Sequence, residues 1–226
     1  MKTLSAVLPA AFMLLAAGAA QSEDWSGAYM GFNAGYGTSE IDWRLVENAG
    51  NEVSSNVGNS VTSNSPDGML GGIQFGHNWQ QGDFVGGVEM EISASNADAY
   101  STWTNEDGRF RDAAASIEYT ASLAARAGFD VQDNLLYLKL GGVAVNGDYH
   151  HTGGSLTSPR ELDGSDSQFG VLVGAGIERK INERASLRFH VPRSDVSLTD
   201  GNRTAIFGLK QDMHTFKVGL NFSFGN

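Results

Sequence analysis

Eight stretches of this 226-residue chain alternate between apolar side chains and small or polar ones, and this pattern constrains the fold more than any other feature. Successive side chains of a β-strand point to opposite faces of a sheet, so the period of two predicts eight strands that each carry one apolar face. The eight stretches are 27–36, 68–79, 83–95, 116–129, 135–145, 168–180, 185–191 and 214–224.

The third stretch, DFVGGVEMEISAS, shows what is unusual about the pattern. Its apolar face carries Val88, Met90 and Ile92, whereas Glu89 and Glu91 share the opposite face. In a soluble sheet the apolar face would turn to a core and the charged face to water. Eight repeats of the pattern in one chain are too many for that explanation and instead favour strands whose apolar faces meet lipid.

The connections between the stretches are of two kinds, and the kinds alternate along the chain. Tight turns and long polar loops sorted in this way are typical of an up-and-down barrel in an outer membrane. We therefore predict an all-β fold, an eight-stranded antiparallel up-and-down transmembrane β-barrel with four long extracellular loops and short periplasmic turns. The turns are 80–83, 130–134 and 181–184, and the loops are 37–67, 96–115, 147–167 and 194–213.

The lengths of the strands agree with a membrane. A sheet can cross hydrocarbon only when it closes on itself, because every backbone N–H and C=O group needs a partner within the protein. A ten-residue strand is roughly 33 Å long and, tilted by about 40°, spans about 25 Å, which is the height of the apolar band of such barrels.

The N-terminus predicts export. Lys2 precedes an apolar run that ends in small residues, so we interpret residues 1–20 as a secretory signal peptide, cleaved after Ala19 or Ala20, and residues 21–226 as the barrel domain. The chain has no cysteine, so it must fold without disulfides. With the barrel prediction, this places the protein in the outer membrane of a Gram-negative cell.

The net charge argues against nucleic acid as a partner. The chain has 15 basic and 26 acidic residues, a net charge of −11, and removal of Lys2 with the signal gives 14 − 26 = −12. An acidic surface repels the phosphate backbone.

If the apolar faces meet lipid, the opposite faces fill a lumen just wide enough for side chains. Because an unpaired buried charge is costly, we expect the acids and bases there to pair. The preferred interpretation is a packed polar core, and a gated ion path is less favoured. Acid–base chemistry by Glu89 and Glu91 is the least favoured interpretation, since no nucleophile accompanies the two carboxylates. The predicted lumen residues are Glu89, Glu91, Glu118, Arg126, Lys139, Glu178, Arg188, His190 and Lys217.

Aromatic residues near the ends of the stretches predict girdles at the two membrane interfaces. The predicted girdle residues are Trp25, Tyr36, Trp79, Phe84, Phe129, Phe222 and Phe224.

Two other motifs predict no site. His150 and His151 lie together in a predicted loop, but no further ligand has the spacing of a metal site, so we expect neither a metal nor a cofactor. Gly174 and Gly176 begin a dinucleotide-binding pattern, but Arg179 occupies its third glycine position and no helix follows.

Several motifs resemble the alphaproteobacterial outer-membrane β-barrel group known as porin-family or outer membrane immunogenic proteins, whose architecture is like the OmpA transmembrane domain. The likeness covers essentially the whole mature chain. Its motifs are WSGAYMGFNAGYG, GGIQFGHNWQQGDFVGGVEMEI, ASLAARAGFDVQDNLLYLKLGGVAV, GVLVGAGIERKINERASL and KVGLNFSF.

The chain departs from that group at two places. Members usually end on an aromatic residue that assists recognition by the barrel-assembly machinery, whereas Gly225 and Asn226 follow Phe224 here. Pro192 replaces part of a tyrosine-rich stretch, and because proline removes a ladder donor we expect the seventh strand to stop or bend near Val191.

The resemblance implies an abundant surface protein that supports envelope integrity, and we expect that role with a side-chain-plugged lumen and no enzymatic activity. The alternatives are a porin-like narrow channel for ions or small solutes and a loop-mediated receptor for haem or for adhesion. The expected partners are outer-membrane lipid, lipopolysaccharide and, during biogenesis, the barrel-assembly machinery; the oligomeric state stays open.

Overall fold

The computed structural model describes the backbone of residues 24–48, 60–104, 110–155, 158–202 and 205–224, and side chains over most of these ranges. The predicted signal peptide, Gly225 and Asn226 lie outside the described residues, so the expectations about them stay predictions. Among the described residues, no helix has the length and apolar character needed to cross a membrane.

The described residues form nine β-strands, and every pair of neighbouring strands is antiparallel. Each strand contains one of the alternating stretches except the second, which is short. The strands are β1 (Gly27–Asn48), β2 (Ser60–Asn64), β3 (Asp67–Gln81), β4 (Phe84–Thr104), β5 (Phe110–Val131), β6 (Asn134–Ser155), β7 (Ser158–Asn182), β8 (Ala185–Asn202) and β9 (Ala205–Ser223).

The sheet closes into a barrel. Each long strand pairs with its neighbour in the chain, and β1 pairs with β9 from Tyr29 opposite Ser223 to Asn48 opposite Ala205. Among the described residues, the short strand β2 pairs only with β1, so eight long strands form the closed wall. The predicted eight-stranded antiparallel barrel is confirmed.

Two-residue turns join the strands at one end of the barrel, which we call the turn end; the opposite end is the loop end. Gln132 and Asp133 both have positive φ values, of 54° and 63°, which is the backbone of a type I′ turn and matches the twist of the hairpin. Gly82 also has a positive φ, of 61°, in the turn between β3 and β4. At the third turn the Asn182 side chain accepts hydrogen bonds from the backbone N–H groups of Arg184 and Ala185.

The barrel is apolar outside and polar inside. Leu123 is 65% exposed and Phe169 is 73% exposed on the outer face, whereas Glu89 and Lys139 are each 1% exposed on the inner face. A soluble protein seldom exposes a continuous apolar surface of this kind, so the exposed band is the surface that lipid covers.

The strands continue into the regions that the sequence predicted as long loops. The longest strand, β7, has 25 residues and spans roughly 80 Å along its axis at about 3.3 Å per residue. Even when tilted, it exceeds the roughly 30 Å hydrocarbon layer. The wall of the barrel therefore rises beyond the membrane as paired strands, because these polar stretches still satisfy each other's backbone groups.

A β-bulge corrects the predicted position of Glu118. In β5 the residues that face β6 run from Ile117, opposite Gly147, directly to Tyr119, opposite Asn146, so Glu118 is the extra residue. The bulge turns Ile117 into the lumen, where it is buried, and leaves Glu118 exposed outside it. The prediction that Glu118 faces the lumen is wrong, because a single extra residue exchanges the two faces.

The strand β8 continues through Pro192, so of the two outcomes expected near Val191, a stop or a bend, the stop is wrong. Pro192 lies opposite Gly174 of β7, and the register with β9 resumes at Arg193 opposite His214. At Val191 and Pro192 the ladder between β8 and β9 is interrupted, since proline has no N–H to donate, whereas the ladder between β7 and β8 continues. The Thr215 hydroxyl donates to the Pro192 carbonyl across this gap, at 3.4 Å.

Candidate functional site: the filled lumen

Seven charged side chains meet inside the barrel and form what we call the ionic layer. All seven are buried, and strands β4 to β9 supply them. Alternation places them inside, because each lies on the face opposite the exposed apolar residues of its strand. The ionic layer consists of Glu89, Glu91, Arg126, Lys139, Glu178, Arg188 and Lys217.

Glu89 is the centre of the ionic layer. Its Oε1 accepts a hydrogen bond from Lys139 Nζ at 2.6 Å, and its Oε2 accepts one from Arg188 Nη1 at 2.5 Å. The Tyr29 hydroxyl also donates to Oε2, at 2.6 Å, and Arg126 Nη1 lies 3.4 Å away. Three cations and one hydroxyl therefore compensate a carboxylate that has almost no contact with solvent.

Glu91, two residues along the same face, connects the remaining base. Lys217 Nζ donates to Glu91 Oε1. Lys139 Nζ and Arg188 Nη2 each lie 3.5 Å from Glu91 Oε2, so both bases bridge the two glutamates. The pair that looked anomalous in the sequence is thus the pair of acceptors around which the bases gather.

Arg126 links this cluster to Glu178. Its Nη2 donates to Glu178 Oε2 at 2.8 Å, and its Nη1 donates to the Tyr29 hydroxyl at 2.9 Å. The guanidinium also lies over two tyrosine rings, 4.2 Å from the centroid of Tyr137 and 5.5 Å from that of Tyr29. Cation–π attraction adds to the ion pairs where water is excluded.

Neutral side chains extend the network around the wall. Glu178 Oε1 accepts hydrogen bonds from Ser186 Oγ at 2.5 Å and Asn221 Nδ2 at 2.7 Å. Gln74 Nε2 donates to Asn221 Oδ1 at 2.7 Å, and Asn33 Nδ2 donates to Gln74 Oε1 at 2.6 Å. Each of the eight long strands contributes at least one side chain, so the network ties the whole circumference together.

His190, also predicted for the lumen, is buried beside the ionic layer without joining its ion pairs. Its ring lies 5.8 Å from that of Tyr137, and its Nε2 packs so closely on Gly174 that an added Cβ would lie 2.5 Å away. Within the described part of the chain, neither ring nitrogen has a hydrogen-bond partner. A neutral imidazole suits this position, since Lys139 and Arg188 already supply positive charge nearby.

Apolar side chains cover the ionic layer on both sides. Along the inner face of β4, Val85, Glu89, Glu91 and Ala97 follow one another from the turn end to the loop end. The turn-end apolar layer consists of Trp25, Val85, Leu135 and Tyr137. The loop-end apolar layer consists of Ala97, Ile117, Ala124, Val143, Val145, Leu172 and Val196, with Met213 packed against it.

Trp25 corrects the predicted aromatic girdle. It is only 8% exposed and lies in the turn-end apolar layer instead of at the lipid interface. Its backbone N–H donates to Gln80 Oε1 at 2.7 Å, and Lys180 Nζ lies 4.8 Å from its ring centroid. Trp25 precedes the first strand, so alternation could not assign it a face, and the chain folds it over the mouth of the barrel.

The other six predicted girdle residues are exposed on the outer face. Phe84 and Phe129 pack edge to face across β4 and β5 with ring centroids 5.7 Å apart. Tyr36 lies nearer the loop end, where its hydroxyl donates to Asp67. The predicted girdle omitted three exposed aromatic residues toward the loop end, Tyr100, Tyr119 and Phe169. Tyr119 and Phe169 lie on the apolar faces of their stretches, so the alternation could have identified them. Tyr100 lies beyond the third stretch.

Glycines inside the barrel make room for the large aromatic rings. At Gly176, an added Cβ would lie 2.4 Å from Cζ and from the hydroxyl oxygen of Tyr137. We expect Gly176→Ala to lower the free energy of unfolding by about 1–3 kcal/mol, because the ring must move within a packed lumen. Urea unfolding in lipid vesicles measures this change.

Gly142→Ala is the matched control for Gly176→Ala. Gly142 faces outward, and the nearest atom to an added Cβ is 3.9 Å away. Equal destabilisation by the two substitutions would show that the lumen has room to spare beside Tyr137.

No group of three or more metal-ligating side chains occurs among the residues that the structure describes. His150 and His151 lie in β6, opposite Asp163 and Leu162 of β7, but their side chains fall outside the described ones. The sequence-based expectation about this pair therefore stays a prediction.

A closed barrel with an apolar outer surface and charges paired inside defines an integral outer-membrane β-barrel protein. The chain belongs to the family described as the outer membrane protein beta-barrel domain, whose model matches residues 7–224. The family resemblance found in the sequence and the location in the Gram-negative outer membrane are both confirmed.

Relatives with established names support the same assignment. The chain is 29% identical over 210 residues to the 31 kDa outer-membrane immunogenic protein of Brucella melitensis, a match covering 88% of this chain and 84% of that protein. It is 28% identical over 174 residues to the 22 kDa outer membrane protein of Rhizobium leguminosarum, covering 75% and 72%. The crystal structure of OprG from Pseudomonas aeruginosa shares the fold, with a TM-score of 0.50 at 12% identity, covering 89% of this chain and 98% of that one.

Proposed function

We propose that this protein is a non-conducting barrel that supports the integrity of the outer membrane and presents its loop-end wall at the cell surface. One observation carries the proposal: the ionic layer, together with the neutral side chains bonded to it, joins all eight long strands across the lumen. An eight-stranded barrel has little interior beyond what its side chains fill. Paired charges that fill the middle of the lumen, with apolar clusters packed on either side of them, oppose the passage of an ion.

Electrical recording tests whether the lumen conducts. The purified mature chain, refolded into planar bilayers, is expected to show no steady openings, because an ion would have to break several buried ion pairs and pass two apolar layers. Steady openings that disappear in Lys139→Met or Arg188→Met would place an ion path through the ionic layer and contradict the proposal. Openings that persist unchanged in both variants would place the path elsewhere and equally contradict a closed barrel.

The structural role has its own test in the cell. Removing the gene is expected to sensitise the host to detergents and to antibiotics that the outer membrane normally excludes. A plasmid copy of the chain should restore resistance, and so should Glu118→Gln, which changes a carboxylate outside the network. Unchanged sensitivity after deletion would exclude a role in envelope integrity.

Outer-membrane lipid and lipopolysaccharide are the proposed partners of the exposed apolar band, and the barrel-assembly machinery is the proposed partner during biogenesis. The outward aromatic residues near both ends of the barrel support contact with the membrane interfaces. Activity as an enzyme is not part of the proposal, since the buried carboxylates Glu89 and Glu91 are fully engaged by bases and cannot reach a substrate.

A further inference from the structure

The ionic layer has an odd charge balance. With Glu118 outside the lumen, the buried ionisable groups of the described residues are three carboxylates and four bases, apart from the tyrosines and from His190, whose ring nitrogens contact no carboxylate. The sum is 4 − 3 = +1. A single uncompensated charge in a water-poor interior is costly, so a compensating negative charge is expected nearby.

A small cavity lies on the loop-end side of the ionic layer, and Lys217 is part of its lining. Apolar residues of the loop-end apolar layer, including Ala97 and Ile117, line another side. The remaining lining is rich in hydroxyl-bearing residues: Thr38, Ser39, Ser95, Thr120 and Thr215. The cavity has somewhat more room than one water molecule needs.

The donors around this cavity are incompletely used. The Lys217 ammonium has three N–H donors, and its hydrogen bonds go to Glu91 and, at 3.5 Å, to Ser93. The hydroxyls of Ser39 and Thr215 donate to backbone carbonyls at the long distances of 3.3 and 3.4 Å, so either can turn to a better acceptor. Among the described residues that line the cavity there is no carboxylate, so an anion in it would face no negative side chain there.

We propose that this cavity binds a small monovalent inorganic anion, such as chloride, beside Lys217. The anion neutralises the fourth base of the ionic layer and accepts hydrogen bonds from the ammonium and from the hydroxyls of Thr215 and Thr120. Chloride is a single atom with one negative charge and needs only donors, whereas a phosphate or a carboxylate ligand is larger and exceeds the available space. The site stabilises the folded barrel and does not require conduction through it.

Anion exchange tests the proposal on the refolded mature chain in lipid vesicles. The urea midpoint is expected to fall when chloride is replaced by gluconate at constant ionic strength, because gluconate is too large for the cavity. Bromide should restore the midpoint. An anion present at about ten times its dissociation constant raises the folding equilibrium constant about tenfold.

Two variants separate this site from general salt effects. Lys217→Gln leaves three carboxylates facing three bases, so its midpoint is expected to be the same in chloride and gluconate. Ser186→Ala removes a buried lumen hydroxyl that bonds to Glu178 and does not line the cavity, so it should keep the chloride dependence. A chloride effect of the same size in Lys217→Gln would place the anion elsewhere and overturn the proposal.

Diffraction from crystals grown in bromide gives an independent answer even if Lys217→Gln fails to fold. An anomalous peak is expected within hydrogen-bond distance of Lys217 Nζ. Equal midpoints of the unaltered protein in chloride and gluconate, or a cavity without a bromide peak, would overturn the proposal and leave an uncharged Lys217 as the explanation of the charge balance.

Discussion

Glu89→Gln is expected to lower the free energy of unfolding by about 3–5 kcal/mol, the range found when one partner of a buried ion pair is removed. Glu89 accepts from Lys139, Arg188 and Tyr29, and Arg126 is also within ion-pair distance. The amide keeps the shape of the side chain but removes its charge, so the ionic layer would hold four bases and two carboxylates. Urea unfolding in vesicles, followed by tryptophan fluorescence, measures the loss.

Glu118→Gln is the control for this substitution, because it removes the same charge from the same residue type. Glu118 is the exposed extra residue of the β5 bulge and lies outside the ionic layer. Its substitution is expected to leave the midpoint unchanged. Similar losses in both variants would mean that total charge, and not the paired lumen, governs the stability of this barrel.

Leu123→Arg is expected to destabilise the folded, inserted barrel by about 2–4 kcal/mol, the range for a base on the lipid face near the bilayer midplane. Leu123 is 65% exposed and lies midway along the apolar outer face of β5. In water this exposure would make the substitution harmless, whereas in lipid the guanidinium has no hydration. Unfolding in vesicles and the fraction of chain that inserts both report the effect.

Glu118→Arg provides the comparison on the same strand, since it adds a base nearer the loop end, beyond the apolar band. It should be tolerated, because the penalty for a charge falls toward the membrane interface. Leu123→Ala separates loss of contact area from the effect of charge and should be much milder than Leu123→Arg. Equal penalties for Leu123→Arg and Glu118→Arg would show that the exposed apolar surface does not lie in hydrocarbon.

Alternation in the sequence predicted most of the ionic layer because the period of two is a property of the extended backbone itself. Once Val88, Met90 and Ile92 are assigned to lipid, Glu89 and Glu91 can only point inward. The same reasoning placed Arg126, Lys139, Glu178, Arg188, His190 and Lys217, and the structure buries all of them. The identity of each ion pair did not follow, since partners come from strands far apart in the chain.

The three corrections have separate physical causes. The alternation of side chains through Ile117, Glu118 and Tyr119 gives no sign of an extra residue. Only the pairing of β5 with its neighbours shows the bulge. Pro192 lacks one donor, but a strand inside a closed barrel is held by two ladders, so the loss on one side does not end it. Trp25 lies before the first alternating stretch, where no periodic signal exists.

The sequence by itself determined the number of strands in the closed wall, the lipid-facing and lumen-facing sides and the end of the barrel that carries the tight turns. These properties depend on local backbone geometry and on the partition of side chains between hydrocarbon and polar surroundings. Only the tertiary structure decided which acid meets which base, that the described part of the lumen holds one more base than acid, and that apolar side chains pack on either side of the ions. Those properties depend on register and closure, which bring distant residues to one level of the barrel.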